Sequence, residues 1–288
     1  MAFLHSISQK DIRASVIFLI MTFVILPLLP DRLIDSMGLI NLYRIWYMVV
    51  LVAGISFFEY IAIRLLGSTH GIGLAGLFGG LVSSTAVAMS MAKKVYENGF
   101  LMKNLALGIA LASSMMLIRA GVEMWVINPL LAKQFFIPIC IGSFAGFIYI
   151  GYLYRTTKKE NIPQNIEFTN PFDLKEALLM GMIFGIILAL ITLSERYVGD
   201  MGVYAVALIS GIADVDAIIL SLSSLAKKGL DPTTAQYGVI IAIVSNSFTK
   251  SILVLYFGKT ALFRLIGIYY LIYVGTFAIL AAYMISAN

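Results

Sequence analysis

Apolar runs of about twenty residues recur along the whole chain, and this feature limits the fold more than any other. The runs over residues 16–29 and 177–193 hold no charged residue and show no strand-like alternation. Charged residues make up 12% of the chain, about half the fraction that is typical of a soluble domain. The bilayer must therefore be the solvent. Because lipid offers no partners to backbone polar groups, we predict an all-α, polytopic membrane helix bundle.

A crossing needs about 20 apolar residues, and on this rule the chain divides into nine predicted spans. They cover residues 12–30, 45–64, 70–92, 104–127, 135–154, 175–194, 201–226, 234–258 and 262–285. On this map, Lys and Arg residues are more frequent on the side that holds the C-terminus. The positive-inside bias then predicts a cytoplasmic C-terminus and an outside N-terminus.

A shift of the chain by 131 residues aligns spans two to five with spans six to nine. Rare polar residues then coincide: Ser83 meets Asp214, Thr85 meets Asp216, and Arg119 meets Lys250. We predict two four-helix repeats, which would share one orientation because four crossings are an even number. The predicted organisation is an N-terminal segment with the first helix (1–40), a first repeat (41–154), a cytoplasmic linker (155–174) and a second repeat (175–288). A chance likeness between apolar helices is the alternative.

Span seven places two carboxylates, Asp214 and Asp216, close to the predicted middle of the membrane. A charge there costs about 2.5 to 3.5 kcal/mol on insertion scales, so such residues normally face a cavity or a partner. Residues two apart point to nearly opposite sides of a helix, and both can face one cavity only if the helix is irregular near Gly211. The alternative is a structural role, as a protonated side chain or as the cap of a broken helix.

Span three carries Gly79 and Gly80 shortly before three hydroxyl residues, Ser83, Ser84 and Thr85. This order predicts an interrupted helix whose second half begins at Ser83. Its free N–H groups would suit an anion, and its hydroxyls would suit a cation or water. For the glycines alone we favour close helix packing, which small residues permit in membranes.

Spans four and eight contribute the remaining candidate residues. Asn246 and Lys250 lie on one face of span eight, and we expect Lys250 to pair with Asp214 or Asp216. Such a pair could exchange its partner for a bound ion, although a fixed ion pair is an equal alternative. In span four, Arg119 has Glu123 four residues later, which predicts a local and structural ion pair.

Other classes of protein find little support in the sequence. Its two histidines lack metal-ligand spacing, and there is no nucleophile-elbow or phosphate-loop motif, so we predict that the protein is not an enzyme. Its positive charge is spread thinly over the loops, which does not indicate nucleic-acid binding.

The string Gly79-Gly-Leu-Val-Ser-Ser-Thr-Ala86, with residues 24–31 and 44–50, resembles the membrane domain that commonly follows an MgtC/SapB-type domain. This group is domain of unknown function family 4010. The resemblance implies a protein of the prokaryotic inner membrane with a loose link to magnesium or other divalent cations. No MgtC-like domain precedes Lys10, so a separately encoded MgtC-like membrane partner is one expectation.

We predict a transporter or channel-like protein for a cation, with one central polar site. Its lining would be Ser83, Ser84, Thr85, Arg119, Asp214, Asp216, Asn246 and Lys250. Asp214 and Asp216 would hold Mg²⁺, another divalent cation or Na⁺, and no other cofactor is expected. Because Arg119 and Lys250 would repel a divalent cation, proton-coupled transport of a small anionic solute is one alternative. A non-transporting membrane partner is another, and the glycine-rich third span permits a homodimer.

Overall fold

The computed structural model describes residues 9–35, 37–66, 72–96, 101–157 and 174–287, and within these ranges it is helical without strands. The elements are α1 (Gln9–Ile20), a π-helical segment (Met21–Ile25), α2 (Leu26–Leu28), α3 (Leu42–Leu66), α4 (Ile72–Lys94), α5 (Met102–Ile127), α6 (Pro129–Thr156), α7 (Leu174–Val198), α8 (Asp200–Ala213), α9 (Val215–Ala226), α10 (Pro232–Phe257) and α11 (Thr260–Ser286).

Five helices of the described chain are long and apolar enough to cross a membrane, namely α5, α6, α7, α10 and α11. α5 and α10 are the most enclosed of the five, and many residues of α6, α7 and α11 face outward. An apolar outer surface is what lipid contact requires. The prediction of an all-helical, multi-pass membrane protein agrees with this structure.

The bundle has two ends, which we name after glycines in short connections. Gly258 joins α10 to α11, and its carbonyl accepts a hydrogen bond of 3.1 Å from the Tyr96 hydroxyl just beyond α4. Gly199 joins α7 to α8. Beside it, the Thr234 hydroxyl donates to the Asp200 carboxylate at 2.8 Å. The starts of α8 and α10 therefore lie together at the Gly199 end, and α4 and α10 finish at the Gly258 end.

α8 and α9 form a hairpin that enters and leaves at the Gly199 end. α8 has 14 residues and α9 has 12, so a continuous rod of both would separate their outer ends by about 39 Å. The contact of Asp200 with Thr234, eight residues after α9, excludes such a rod. The chain turns at Asp214, whose φ of −152° and ψ of 123° are extended. α9 then returns along α10, where Leu222 packs against Gly238.

α4 also folds back on itself, but it enters the bundle from the opposite end. Gly76 lies against the backbone of Gly108, and Gly80 lies against that of Ala112. The equal spacing means that residues 72–82 run in the same direction as α5. Ser83 breaks the helix, with φ of −160° and ψ of 101°.

The second leg of α4, residues 84–94, returns to the Gly258 end, where Ala92 lies beside Gly258. α5 starts at this end and finishes at the other, because the amide of Asn128 donates to the Ser223 carbonyl near the end of α9. Gly108 is only six residues into α5, so the first leg of α4 also starts near the Gly258 end. We call this segment the α4 hairpin and its counterpart the α8–α9 hairpin.

These hairpins correct the predicted topology. The predicted break at Ser83 is confirmed, but the predicted spans 70–92 and 201–226 do not cross from one end to the other, so nine crossings are not confirmed. Hydropathy could not distinguish the two cases, since both legs of each hairpin are apolar.

The predicted shared orientation of the two repeats also differs from the structure. Gly181 of α7 lies beside Val49 of α3, and Gly185 lies beside Ile45, so the two helices run antiparallel. The 131-residue shift pairs α3 with α7, and these matched helices therefore point in opposite directions.

The hairpins interlock with the central helices of the chain. α9 packs against α5, and the α4 hairpin packs against α10. At the outside, α6 and α11 run antiparallel, with Gly142 against Phe277 and Gly146 against Tyr273. This arrangement brings the two helix breaks, Ser83 and Asp214, together between α5 and α10.

Candidate functional site

A cavity of about 390 Å³ lies where the two hairpin tips meet. All the candidate site residues that the sequence predicted line it, namely Ser83, Ser84, Thr85, Arg119, Asp214, Asp216, Asn246 and Lys250. They come from four elements that are distant in sequence. The structure therefore brings the predicted residues together, and their role in binding stays a prediction.

The two tips have the same local construction. The Ser83 hydroxyl accepts a hydrogen bond of 3.2 Å from the Ala86 N–H. Asp214 Oδ1 accepts one of 2.9 Å from the Asp216 N–H. Each tip side chain thus caps the first turn of the returning leg, as Ser and Asp commonly do. The positive ends of two helix dipoles consequently face the same cavity.

Arg119 joins α5 to the tip of the α8–α9 hairpin. Its guanidinium Nη2 lies 2.9 Å from Asp216 Oδ2, and its Nε lies 3.2 Å from Glu123 Oε1. Arg119 is 14% exposed and Glu123 is fully buried. The predicted local pair of Arg119 with Glu123 is confirmed. Asp216 is thereby held by a charge-assisted contact.

Lys250 is buried, with a relative exposure of 2%, and the predicted ion pair with Asp214 or Asp216 is absent. No carboxylate of the described residues lies within the 4.0 Å range of an ion pair with it. Its Nζ contacts the Met116 thioether at 3.5 Å. The prediction failed because Arg119 binds Asp216 from the opposite helix, and Lys250 lies one turn beyond the hairpin tip.

Asn246 fixes the hairpin and also presents an acceptor. Its Nδ2 donates to the Gly211 carbonyl at 2.9 Å, in the last turn of α8. Its Oδ1 is buried and has no hydrogen-bond partner within the described part of the chain. Since a buried polar atom normally has a partner, this oxygen marks a place where an occupant of the cavity could donate.

The structure also adds cavity residues that the sequence did not single out. Glu176, an exposed residue in the first turn of α7, and Ser56 of α3 contribute polar atoms near the Gly258 end. An apolar wall completes the lining: Met21, Val49, Val52, Ala53, Met115, Met116, Met180 and neighbouring small residues. No signal marked them in advance, because Glu176 resembles an ordinary flanking charge and the others resemble core.

The residues offer limited support for a metal centre at Asp214 and Asp216. In the described ranges, no group of three or more His, Cys, Asp or Glu side chains is arranged to hold a metal ion. A metal between the two aspartates would have to displace Arg119 from Asp216. Asn246 Oδ1 and the hydroxyls of the α4 hairpin could add neutral oxygen ligands. The metal site stays a prediction.

Comparison with known proteins places the chain in a family. A protein of Aquifex aeolicus (strain VF5), named only as an uncharacterized protein, is 30% identical over 218 residues, which are 72% of this chain and 92% of the relative. No solved structure matches the chain. The link to an MgtC-like partner stays a prediction. The model described as "Domain of unknown function (DUF4010)" matches residues 50–258, which include both hairpins and the whole predicted site. The chain therefore belongs to the DUF4010 family.

Proposed function

We propose that the protein is a membrane transporter that moves a small ion or solute through the central cavity. The observation that carries this proposal is the meeting of two helix breaks, Ser83 and Asp214, that enter from opposite ends and line one cavity. Breaks of this kind expose backbone groups and dipole ends to an occupant, and they occur at the substrate sites of secondary transporters.

The proposed topology has seven crossings and two re-entrant hairpins. The crossings are the segment from α1 to α2, followed by α3, α5, α6, α7, α10 and α11. Each repeat then holds three crossings and one hairpin. Because three is an odd number, the second repeat is inverted relative to the first, which agrees with the opposite directions of α3 and α7. Inverted repeats are a common design of transporters.

The proposed orientation places the Gly258 end in the cytoplasm of a prokaryotic cell. Among described residues outside the site, ten Lys and Arg residues flank this end: Lys10, Arg13, Arg64, Lys93, Lys94, Lys103, Arg155, Lys175, Lys259 and Arg264. Six flank the Gly199 end: Arg32, Arg44, Lys133, Arg196, Lys227 and Lys228. The positive-inside bias then gives a cytoplasmic N-terminus and an outside C-terminus. This reverses the earlier expectation, because each hairpin removes one crossing. The loops between the two hairpins therefore move to the other side relative to both termini.

The cavity reaches from the hairpin tips to Glu176 at the Gly258 end. On the proposed orientation, the structure is therefore open toward the cytoplasm. On the other side, Arg119 of α5 pairs with Glu123 of the same helix and with Asp216 of the α8–α9 hairpin, and in this proposal the bridge to Asp216 closes the route to the Gly199 end. Transport requires this bridge to open when the cavity closes toward the cytoplasm. A rearrangement of the α8–α9 hairpin would open the bridge and would also close the cavity toward the cytoplasm.

The proposal is tested by flux into proteoliposomes that contain the purified protein. Radiolabelled neutral amino acids, Mg²⁺, Na⁺ and small carboxylates are offered in turn, with an internal pH dye to record coupled proton movement. We expect saturable uptake of one class, which also separates a cation from an anionic solute. Asp214→Asn should abolish this uptake, and Lys133→Met, at an exposed position outside the cavity, should leave it unchanged.

Absence of uptake for every class, in vesicles where the protein is folded and correctly inserted, would contradict transport. The polar cluster would then serve assembly with another membrane protein. In that case Asp214→Asn should disturb association or folding only, which co-purification and thermal unfolding would record.

A further inference from the structure

We propose that the cavity binds the zwitterion of an amino acid with an apolar side chain. Its carboxylate would pair with Lys250, and its ammonium group would pair with Asp214. This inference rests on the proposed transport function and names the substrate class of the same site. It is carried by the charges that the described structure leaves without partners and by the shape of the wall around them.

Lys250 is the first of these charges. It lines the cavity, is 2% exposed, and makes its 3.5 Å contact with a thioether, which is a weak acceptor. An ammonium group buried without an anion is costly. The 131-residue shift suggests why this anion is missing. It matches Lys250 to Arg119, and it matches Thr85 to Asp216, the carboxylate that partners Arg119. The position that would supply a carboxylate to Lys250 therefore holds the hydroxyl of Thr85.

A second feature favours an anion near Lys250. The returning leg of the α4 hairpin, residues 84–94, begins at the cavity with Ser83 as its cap. The first N–H groups of a helix have no partner within the helix, and the positive end of its dipole attracts an anion. Ser84 and Thr85 line the cavity beside them and add hydroxyl donors.

Asp214 supplies the opposite charge. Its Oδ1 caps α9, and none of the described Lys, Arg or His side chains lies within ion-pair distance of it. Asn246 Oδ1 is a second acceptor without a partner among the described residues, and it belongs to the same cavity lining. An ammonium group has three donors and needs such oxygens. Asp216 is already bound to Arg119, and Glu176 belongs to the exposed first turn of α7 at the Gly258 end. At the hairpin tips, Asp214 is therefore the available carboxylate, which suits a single positive charge better than a divalent metal.

The size and the wall of the cavity complete the description of the occupant. A volume of about 390 Å³ lies within the roughly 300–1,000 Å³ range of sites for small organic molecules. It is far larger than a dehydrated metal ion requires. Much of the rest of the lining is apolar: Met21, Val49, Val52, Ala53, Met115 and Met180. The remaining substituent of the solute is therefore apolar.

The binding test uses L-leucine and two analogues that each lack one charge. Isopentylamine is leucine without its carboxylate, and 4-methylpentanoate is leucine without its ammonium group. Purified full-length protein is titrated with each, and binding is followed by thermal unfolding. We expect leucine to stabilise the protein and each analogue to bind at least about 30-fold more weakly, as is usual when one partner of a buried charge pair is removed.

Two variants test which charged group of the solute is bound by Lys250 and which by Asp214. Lys250→Met should remove the preference for leucine over isopentylamine. Asp214→Asn, which keeps a capping side chain, should remove the preference for leucine over 4-methylpentanoate. Lys133→Met should behave as the wild type. The comparison of analogues on the unmodified protein does not depend on the folding of any variant.

Equal binding of leucine and both analogues would overturn the proposal, as would stabilisation by Mg²⁺ or Na⁺ alone without any effect of leucine. The flux assay separates this outcome from a failure of the transport function. Leucine that binds but does not cross would contradict transport and leave the site intact. A different solute that crosses while leucine does not bind would contradict the substrate class only.

Discussion

The decisive contacts at the scale of single residues are those of the two cationic side chains in the cavity. Arg119 has two carboxylate partners, Asp216 and Glu123, and Lys250 has none within 4.0 Å among the described residues. The 131-residue shift of the sequence matches the two positions. One cation therefore links α5 to the α8–α9 hairpin, and in the proposed function the other is available to an occupant of the cavity.

The first prediction concerns Arg119 and its buried partner. Arg119→Met should destabilise the protein by about 3–5 kcal/mol, because the Glu123 carboxylate would stay buried without a cation. The double variant Arg119→Met with Glu123→Met should recover most of this loss, since it removes both charges. Thermal unfolding in detergent measures the difference.

The same pair of variants separates stability from function. Transport should stay lost in the double variant, because Asp216 no longer has the cation that links it to α5. Recovery of both stability and flux would show that Arg119 only neutralises Glu123, and would contradict its place in the closing bridge.

At the scale of elements, the α4 hairpin depends on contact between backbones. Gly76 and Gly80 lie so close to α5 that no side chain fits between them. Small residues allow such approach in membranes, where packing replaces the hydrophobic effect as the force between helices. The glycines that permitted a predicted homodimer are thus occupied within one chain.

The second prediction follows from this contact. Gly80→Ala should destabilise the protein by about 1–3 kcal/mol, as overpacking does, because the new methyl group would collide with Ala112. Gly151→Ala is the matched control, since no atom beyond the neighbouring backbone of its own helix lies within 4 Å of the position of its added methyl group. Thermal unfolding of both variants checks the prediction. An equal effect of the two substitutions would show that α4 does not pack on α5 in this way.

The sequence predicted the elements and the site better than the path of the chain. Hydropathy located the helices, and the cost of charge in lipid selected Asp214, Asp216, Arg119 and Lys250, which do share one cavity. Glycine followed by hydroxyl residues predicted the break at Ser83. The fold-back could not be predicted, because a hairpin with two apolar legs has the same length and hydropathy as one crossing. The predicted ion pair of Lys250 was wrong for the same reason, since the topology decides which helices face each other.

At the scale of the whole molecule, two hairpins enter the bundle from opposite ends, and their tips meet at one cavity. Neither hairpin spans the bundle, so each can move without breaking a complete crossing. The central helices α5 and α10 carry Arg119 and Lys250 and remain the enclosed frame. Such a division suits alternating access, in which the site faces one side at a time.

The measurement that tests this architecture most directly is the labelling of single cysteines in whole cells with a membrane-impermeant maleimide. The background is Cys140→Ala, which removes the native exposed cysteine. Tyr197→Cys and Lys228→Cys lie on the two flanks of the α8–α9 hairpin, and Lys259→Cys lies at the Gly258 end. All three native side chains are exposed.

We expect cysteines 197 and 228 to be labelled together in intact cells, because both flanks of the hairpin lie at the outward Gly199 end. Cysteine 259 should be labelled only after the membrane is permeabilised. A reversed pattern, with 259 labelled in intact cells and the other two protected, would reverse the orientation and keep the hairpin. Labelling of 197 and 228 from opposite sides would mean that this segment crosses the membrane, and would contradict the shared cavity on which the proposed transport rests.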